Sequence, residues 1–168
     1  ARLLPIEGPE IPNGVLVVHH GRITALGGPG TAIPAGAERH DAKGKVLMPG
    51  LVDTHSHIGG AAGADSTAPI HPDVRVADAL NARASSIQRA RTGGITTVNV
   101  MPGSGHLLSG QTAYLKLREG HTLAALQILG PDGAPMGGMK MANGTNSRRP
   151  TGPFPGTRAK SAALVREQ

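Results

Sequence analysis

Three patterns of apolar and polar residues divide this chain. From Asn13 to Ile23 the run Asn-Gly-Val-Leu-Val-Val-His-His-Gly-Arg-Ile is rich in β-formers and broken by Gly14 and Gly21, which predicts a hairpin of two short strands. Gly27, Gly28, Pro29, Gly30 and Pro34 follow as a turn-rich link. Residues 1–46 therefore read as a small β-domain. The apolar run Val46 to Met48, then Pro49-Gly50, leads into Leu51-Val-Asp-Thr-His-Ser-His. That stretch has the look of a buried strand with polar residues at its C-terminal end, where parallel α/β folds keep their chemistry.

The third pattern is helical. Val76, Leu80, Ala84 and Ile87 recur near every 3.6 residues, with Arg83, Gln88 and Arg89 off that stripe, so Val74 to Arg91 is expected to form an amphipathic helix. Gly93-Gly94 ends it, and the β-branched run Ile95-Thr-Thr-Val-Asn-Val-Met predicts a second buried strand. Strand, helix and strand make a βαβ unit. Beyond Pro102 the pattern weakens: Ala113 to Leu117, Leu123 to Leu129 and Gly138 to Ala142 each fit a short strand or a helix edge. Asn143 to Gly156, with its Pro, Gly and paired Arg148 and Arg149, reads as a loop, and Thr157 to Glu167 as a last helix behind a Thr cap.

Composition narrows the picture. With 38% hydrophobic and 17% charged residues the chain is expected to fold, but Tyr114 and Phe154 are its only large aromatics, so its core is aliphatic. The 168 residues suffice for one compact domain and fall short of the roughly 250 that a complete α/β barrel needs. The net charge of +6 raises the question of nucleic acid. The basic residues lie on the expected helix and near the C-terminus without interleaved aromatics on which bases could stack, so no specific nucleic-acid partner is expected. No cysteine is present, so a metal would be held by His, carboxylate, modified Lys or water. No apolar stretch reaches 18 residues, so no membrane span is expected. The chain begins at Ala1 without an intact signal peptide, which leaves cytoplasmic and exported locations both open.

His55 and His57 are one residue apart. On an extended strand such residues point the same way, so both imidazoles can converge on one ion, and Asp53 shares that face. By itself His-x-His is a weak signal. Its surroundings strengthen it: Pro49-Gly50-Leu-Val-Asp53-Thr-His55-Ser-His57 resembles the first barrel strand of the amidohydrolase superfamily, where such a phrase opens the metal site. The preceding Gly21-Arg-Ile-Thr-Ala-Leu-Gly is similar to that family's small sandwich domain, and Gly93-Gly-Ile-Thr-Thr-Val to its second barrel strand. Met101-Pro-Gly-Ser-Gly-His, Ser109-Gly-Gln-Thr and Met139-Lys-Met-Ala-Asn-Gly-Thr-Asn resemble an imidazolonepropionase-like group within it. Thr145 departs from that pattern, since relatives usually place an acidic residue there.

The resemblance implies an α/β fold: the first part of a TIM-like (β/α)8 barrel over residues 47–168, preceded by a small β-sandwich portion over residues 1–46. It implies hydrolysis of a C–N bond in a small-molecule substrate, such as an amide or lactam, by water activated on one or two divalent ions, expected to be zinc. His55 and His57 would be ligands and Asp53 an orienting residue. Lys140 is the first candidate for a bridging carboxylated lysine and Lys116 the alternative, while His106, just after the second barrel strand, could contact substrate. The family's later His, His and Asp have no counterpart here, and His121 cannot replace them all, so no catalytic base is assigned. The barrel is thus expected to be incomplete in this chain and finished by a second polypeptide or by a segment outside this sequence. A non-catalytic subunit or binding module derived from the same fold is the alternative.

Overall fold

The computed structural model describes residues 1–63 and 65–168. The chain divides into two compact units, Ala1–Pro49 and Gly50–Gln168. The first holds β1 (Arg2–Leu3), β2 (Val15–His19), β3 (Arg22–Gly27) and β4 (Val46–Leu47). The β2 and β3 strands form the expected antiparallel hairpin, with a bulge at Val17/Val18. Its two connecting residues, His20 and Gly21, both have positive φ, as the tight primed turns that match strand twist demand. The β1 and β4 strands pair in parallel. The unit thus contains a pair of two-stranded sheets.

The second unit is mixed α/β. It contains β5 (Leu51–Ser56), α1 (Ser85–Thr92), β6 (Ile95–Val100), β7 (Leu108–Gln111), β8 (Ala113–Lys116), α2 (Leu123–Leu126), β9 (Met139–Met141) and α3 (Arg158–Arg166). The β5 and β6 strands are parallel and α1 lies between them in sequence, so the βαβ unit forms. Gly94 at φ 86° turns the chain out of α1, and Arg89 and Arg91 sit favourably at that helix's C-terminal end. Val98 and Val100 point from β6 into a core with Ile87 of α1, Val76, Leu115 of β8 and Leu126 of α2. Thr122 caps α2 by accepting the Ala125 N–H, and Thr157 caps α3 by accepting the Lys160 N–H.

Two expectations need correction. The helix expected over 74–91 forms only from Ser85; upstream there is a single 3-10 turn, Val76–Asp78. The reason is local competition at Asn81. Its side-chain oxygen accepts the Arg83 N–H, and its own N–H donates to the Gly59 carbonyl, so both groups leave the helical ladder. The apolar rhythm of Val76, Leu80 and Ile87 reflects packing on one core, not one continuous helix.

The second correction concerns the direction of the third strand. Among the described residues the β5-β6-β8 sheet has three strands and does not close, and β8 runs antiparallel to β6. A parallel third strand needs a crossover, usually a helix. Residues 101–112, with Pro102, Gly103, Gly105 and Gly110, supply the strand β7 in its place. The antiparallel β7-β9 pair forms a separate ladder.

The two faces of the three-stranded sheet differ in energetic weight. Leu115, with 0% exposure, is expected to lose about 2–5 kcal/mol of stability on replacement by Ala, because a cavity is left in close packing. Val52, 62% exposed, should change by no more than about 0.5 kcal/mol on the same truncation. Denaturant unfolding of the two variants checks the contrast.

Candidate functional site

The site begins with an irregularity in strand pairing. Asp53 is paired with Val98 and Ser56 with Val100, so β5 advances three residues while β6 advances two. The extra residue places Thr54 and His55 together beside Asn99 and re-aims the end of the strand, as bulges beside functional sites commonly do. Strict two-residue alternation therefore does not run through this segment, and Asp53 stands in register with core-facing Val98. Its carboxylate oxygen accepts the backbone N–H of His55 at 3.1 Å, which stabilises the altered course of the strand locally.

Past the bulge the two imidazoles come together. The rings of His55 and His57 lie 5.1 Å apart, centroid to centroid, nearly perpendicular at 80°. His57 Nδ1 is 2.8 Å from the Met101 carbonyl oxygen just beyond β6. Donating its Nδ1 proton there leaves Nε2 with a free lone pair, the arrangement in which histidines bind metals. The Met101 N–H in turn donates to Ser56 O at 2.9 Å, tying the two strand ends together.

Lys140, on β9, is 85 positions from His55 in sequence, yet its Nζ lies 3.5 Å from His55 Nε2. It is a buried lysine, 9% exposed, which is unusual for a residue type that normally keeps its ammonium in water. The β7-β9 ladder sets Lys140 opposite Gly110. At Gly137, upstream of β9, a side chain would run into the Thr112 carbonyl oxygen, so glycine is what lets this segment lie against the start of β8. Lys116 is held elsewhere: it is exposed on β8, and its Nζ donates to Thr97 Oγ1 at 2.9 Å.

These residues can hold a cation in part. Two imidazoles suit a divalent ion such as zinc, and Lys140 would join them only after carboxylation, since an ammonium has no lone pair to donate. Among the described residues no group of three or more His, Cys, Asp or Glu is arranged to hold a metal ion.

His106 lies on the connection from β6 to β7 and is 4% exposed, with neither ring nitrogen finding a hydrogen-bond partner. It is packed in a row of side chains from three loops. The His71 ring is 6.1 Å away on one side and Phe154 5.5 Å on the other, and the Arg149 guanidinium stands 4.9 Å over the Phe154 ring. Arg149 also donates to the carbonyl of Gly105, beside His106. Burial pushes the His106 pKa down, with the charges of His71 and Arg149 adding to the effect and that of Asp65 opposing it. His71, Arg149 and Phe154 are functional-site neighbours that the sequence reading did not single out; they are scattered over 84 positions, and nothing local to any of them marks the association. Asn99 carried a signal that went unused, a carboxamide in the middle of a β-branched run.

Comparison with known proteins adds an independent observation. No protein-family model matches the chain. The amidohydrolase tasK of Hapsidospora irregularis is 32% identical over 152 residues, which is 81% of this chain and 16% of that protein. The imidazolonepropionase of Cupriavidus taiwanensis is 50% identical over 60 residues, and that of Saccharopolyspora erythraea 47% over 49; these matches cover 33% and 29% of this chain, and 14% and 12% of those proteins. The crystal structure of an amidohydrolase from Thermotoga maritima superposes with a TM-score of 0.68 at 26% identity, over 99% of this chain and 44% of that one. This chain thus spans less than half the length of each of these relatives.

The lowered pKa of His106 has a consequence for stability. Between its folded pKa and the ordinary value of 6.5, the unfolded chain takes up a proton that the folded chain refuses, so stability falls as pH drops below about 6.5. Replacing His106 by Leu, which keeps the bulk and removes the titration, should flatten that part of the stability profile. Thermal unfolding midpoints measured from pH 5 to pH 7.5 check it; equal slopes in both proteins would remove His106 as the cause.

Proposed function

We propose, from the premise that this chain belongs to the amidohydrolase family, that it carries the first part of a metal-dependent hydrolase site acting on a C–N bond such as an amide or lactam. The observation that carries the reading is the convergence of His55, His57 and the buried Lys140, which pairing at a distance brings together and which a purely structural role does not require. His55 and His57 would hold a divalent ion, zinc being one that suits two imidazoles without thiolates. Such an ion, when bound, lowers the pKa of a coordinated water and polarises the scissile carbonyl.

The chain's own residues do the rest of what this part can do. The Met101 carbonyl fixes the tautomer and orientation of His57. Asp53 holds the backbone at His55. Lys140 would add a negative oxygen ligand beside His55 if its neutral amine added CO2 and released a proton, and its shielding from water favours that role over the exposed Lys116. Burial lowers the His106 pKa and so favours its neutral ring, which carries one donor and one acceptor. The remaining ligands and the proton-accepting base come from strands outside this chain, from a second polypeptide or from further sequence. Support for that comes from the sheet itself, where Leu51 and Val52 are 52% and 62% exposed, and from relatives more than twice as long.

The alternative is a binding module that kept the fold and lost the chemistry.

Native mass spectrometry with metal analysis on the assembly isolated from its source separates the two. The hydrolase reading expects one or two zinc-like ions per assembly. Replacing His55 or His57 by Ala should each cut bound metal by at least about tenfold at a fixed, limiting metal concentration, in line with the loss of a ligand. A metal-free assembly, or binding unchanged in both variants, would leave the module reading in place.

A further inference from the structure

Asn99 is the residue that neither the core nor the metal ligands account for. It lies in the middle of β6, flanked by β5 on one side and β8 on the other, with Tyr114 as its partner across β8. Its neighbours Val98 and Val100 point into the apolar core, so alternation puts Asn99 on the opposite face, with Thr97. The bulge in β5 sets Thr54 and His55 beside it. Its Oδ1 is buried and has no hydrogen-bond partner.

An Asn is a poor residue for a central strand, and an unsatisfied buried carbonyl oxygen costs free energy that a Val or Leu would avoid. Two lysines on neighbouring strands are bonded elsewhere. Lys116 Nζ, on the same face, donates to Thr97 Oγ1, and Lys140 Nζ is turned to His55 Nε2. Strands on both sides hold the Asn99 backbone, so its carboxamide is carried by a rigid element, as binding groups need to be.

We propose that Asn99 is a specificity-determining residue: its Oδ1 accepts a hydrogen bond from an N–H of the ligand bound beside His55, selecting N–H-bearing amides over N-alkylated amides and esters. The inference rests on the reading of His55 and its neighbours as a site for C–N substrates. It does not depend on turnover. The Nδ2 protons of the same carboxamide can meet the ligand's carbonyl, so a cyclic amide, whose N–H and C=O lie on one side, can pair with both ends of Asn99 at once. A missing hydrogen-bond donor is penalised because a buried acceptor stays unpaired.

The test is equilibrium binding of 2-pyrrolidinone and N-methyl-2-pyrrolidinone to the full-length protein, followed by ligand-observed NMR, for the native sequence, Asn99→Asp and Asn99→Leu. The native protein and N99D, which both present an acceptor, should bind the N–H lactam about fivefold to tenfold more tightly than its N-methyl analogue. N99L should bind the two alike, while its thermal midpoint stays level or rises, because an unpaired buried acceptor has been removed. A native protein without preference, or an N99L variant that retains it, overturns the proposal. Preference for the N–H lactam in a protein that hydrolyses no amide would uphold Asn99 and discard the hydrolase reading; hydrolysis without preference would do the reverse.

Discussion

The parallel pairing of β5 with β6 is the constraint on which the rest of the site depends. It buries Val98 and Val100 on one face and, through one extra residue in β5, turns His55 onto the other. The Ser56 and Met101 backbones lock the strand ends, and the Met101 carbonyl then orients His57. Without that register the two histidines would be ordinary residues at the end of a strand. Local hydrogen bonding supports the arrangement: the Asp53 carboxylate takes the His55 N–H, so the departure from regular pairing does not leave a donor unpaired.

A second ladder completes what the first begins. The β7-β9 pair carries Lys140 to within reach of His55, and close approach at Gly137 lets the segment before β9 lie against Thr112. The cost of burying a lysine is high unless something uses it. Its position beside an imidazole, shielded from solvent, is the feature that distinguishes it from the exposed Lys116. Elsewhere in the unit, loops before and after β6 are fastened by the row of His71, His106, Phe154 and Arg149, in which Arg149 donates to the carbonyls of Gly105, Asn146 and Arg148. Arg149 is therefore a tie between loops.

Burial differs sharply within the second unit. The core between α1, β6 and β8 is closed and aliphatic, whereas Leu51 and Val52 on β5 remain open. Among the described residues β5 pairs on one side only, with β6, and the chain matches 44% of a solved amidohydrolase. No helix among the described residues is long and apolar enough to cross a membrane.

The sequence by itself determined what depends on neighbours along the chain. The hairpin at His20-Gly21, the β-branched strand Ile95–Val100, the Thr cap of α3 and the Pro-Gly-x-x-Asp-x-His-x-His phrase are all local, set by turn chemistry, side-chain stiffness and spacing. The same local logic failed at Val74–Arg91, because an apolar rhythm records which residues face a core and Asn81 had a stronger use for its hydrogen bonds with Gly59. Only the tertiary structure decided that β8 returns antiparallel, that Lys140 and not Lys116 stands beside His55, and that Asn99 falls opposite the irregularity at Thr54 and His55. Those outcomes depend on register and on contacts between residues as many as 85 positions apart, and no periodicity within one segment encodes them.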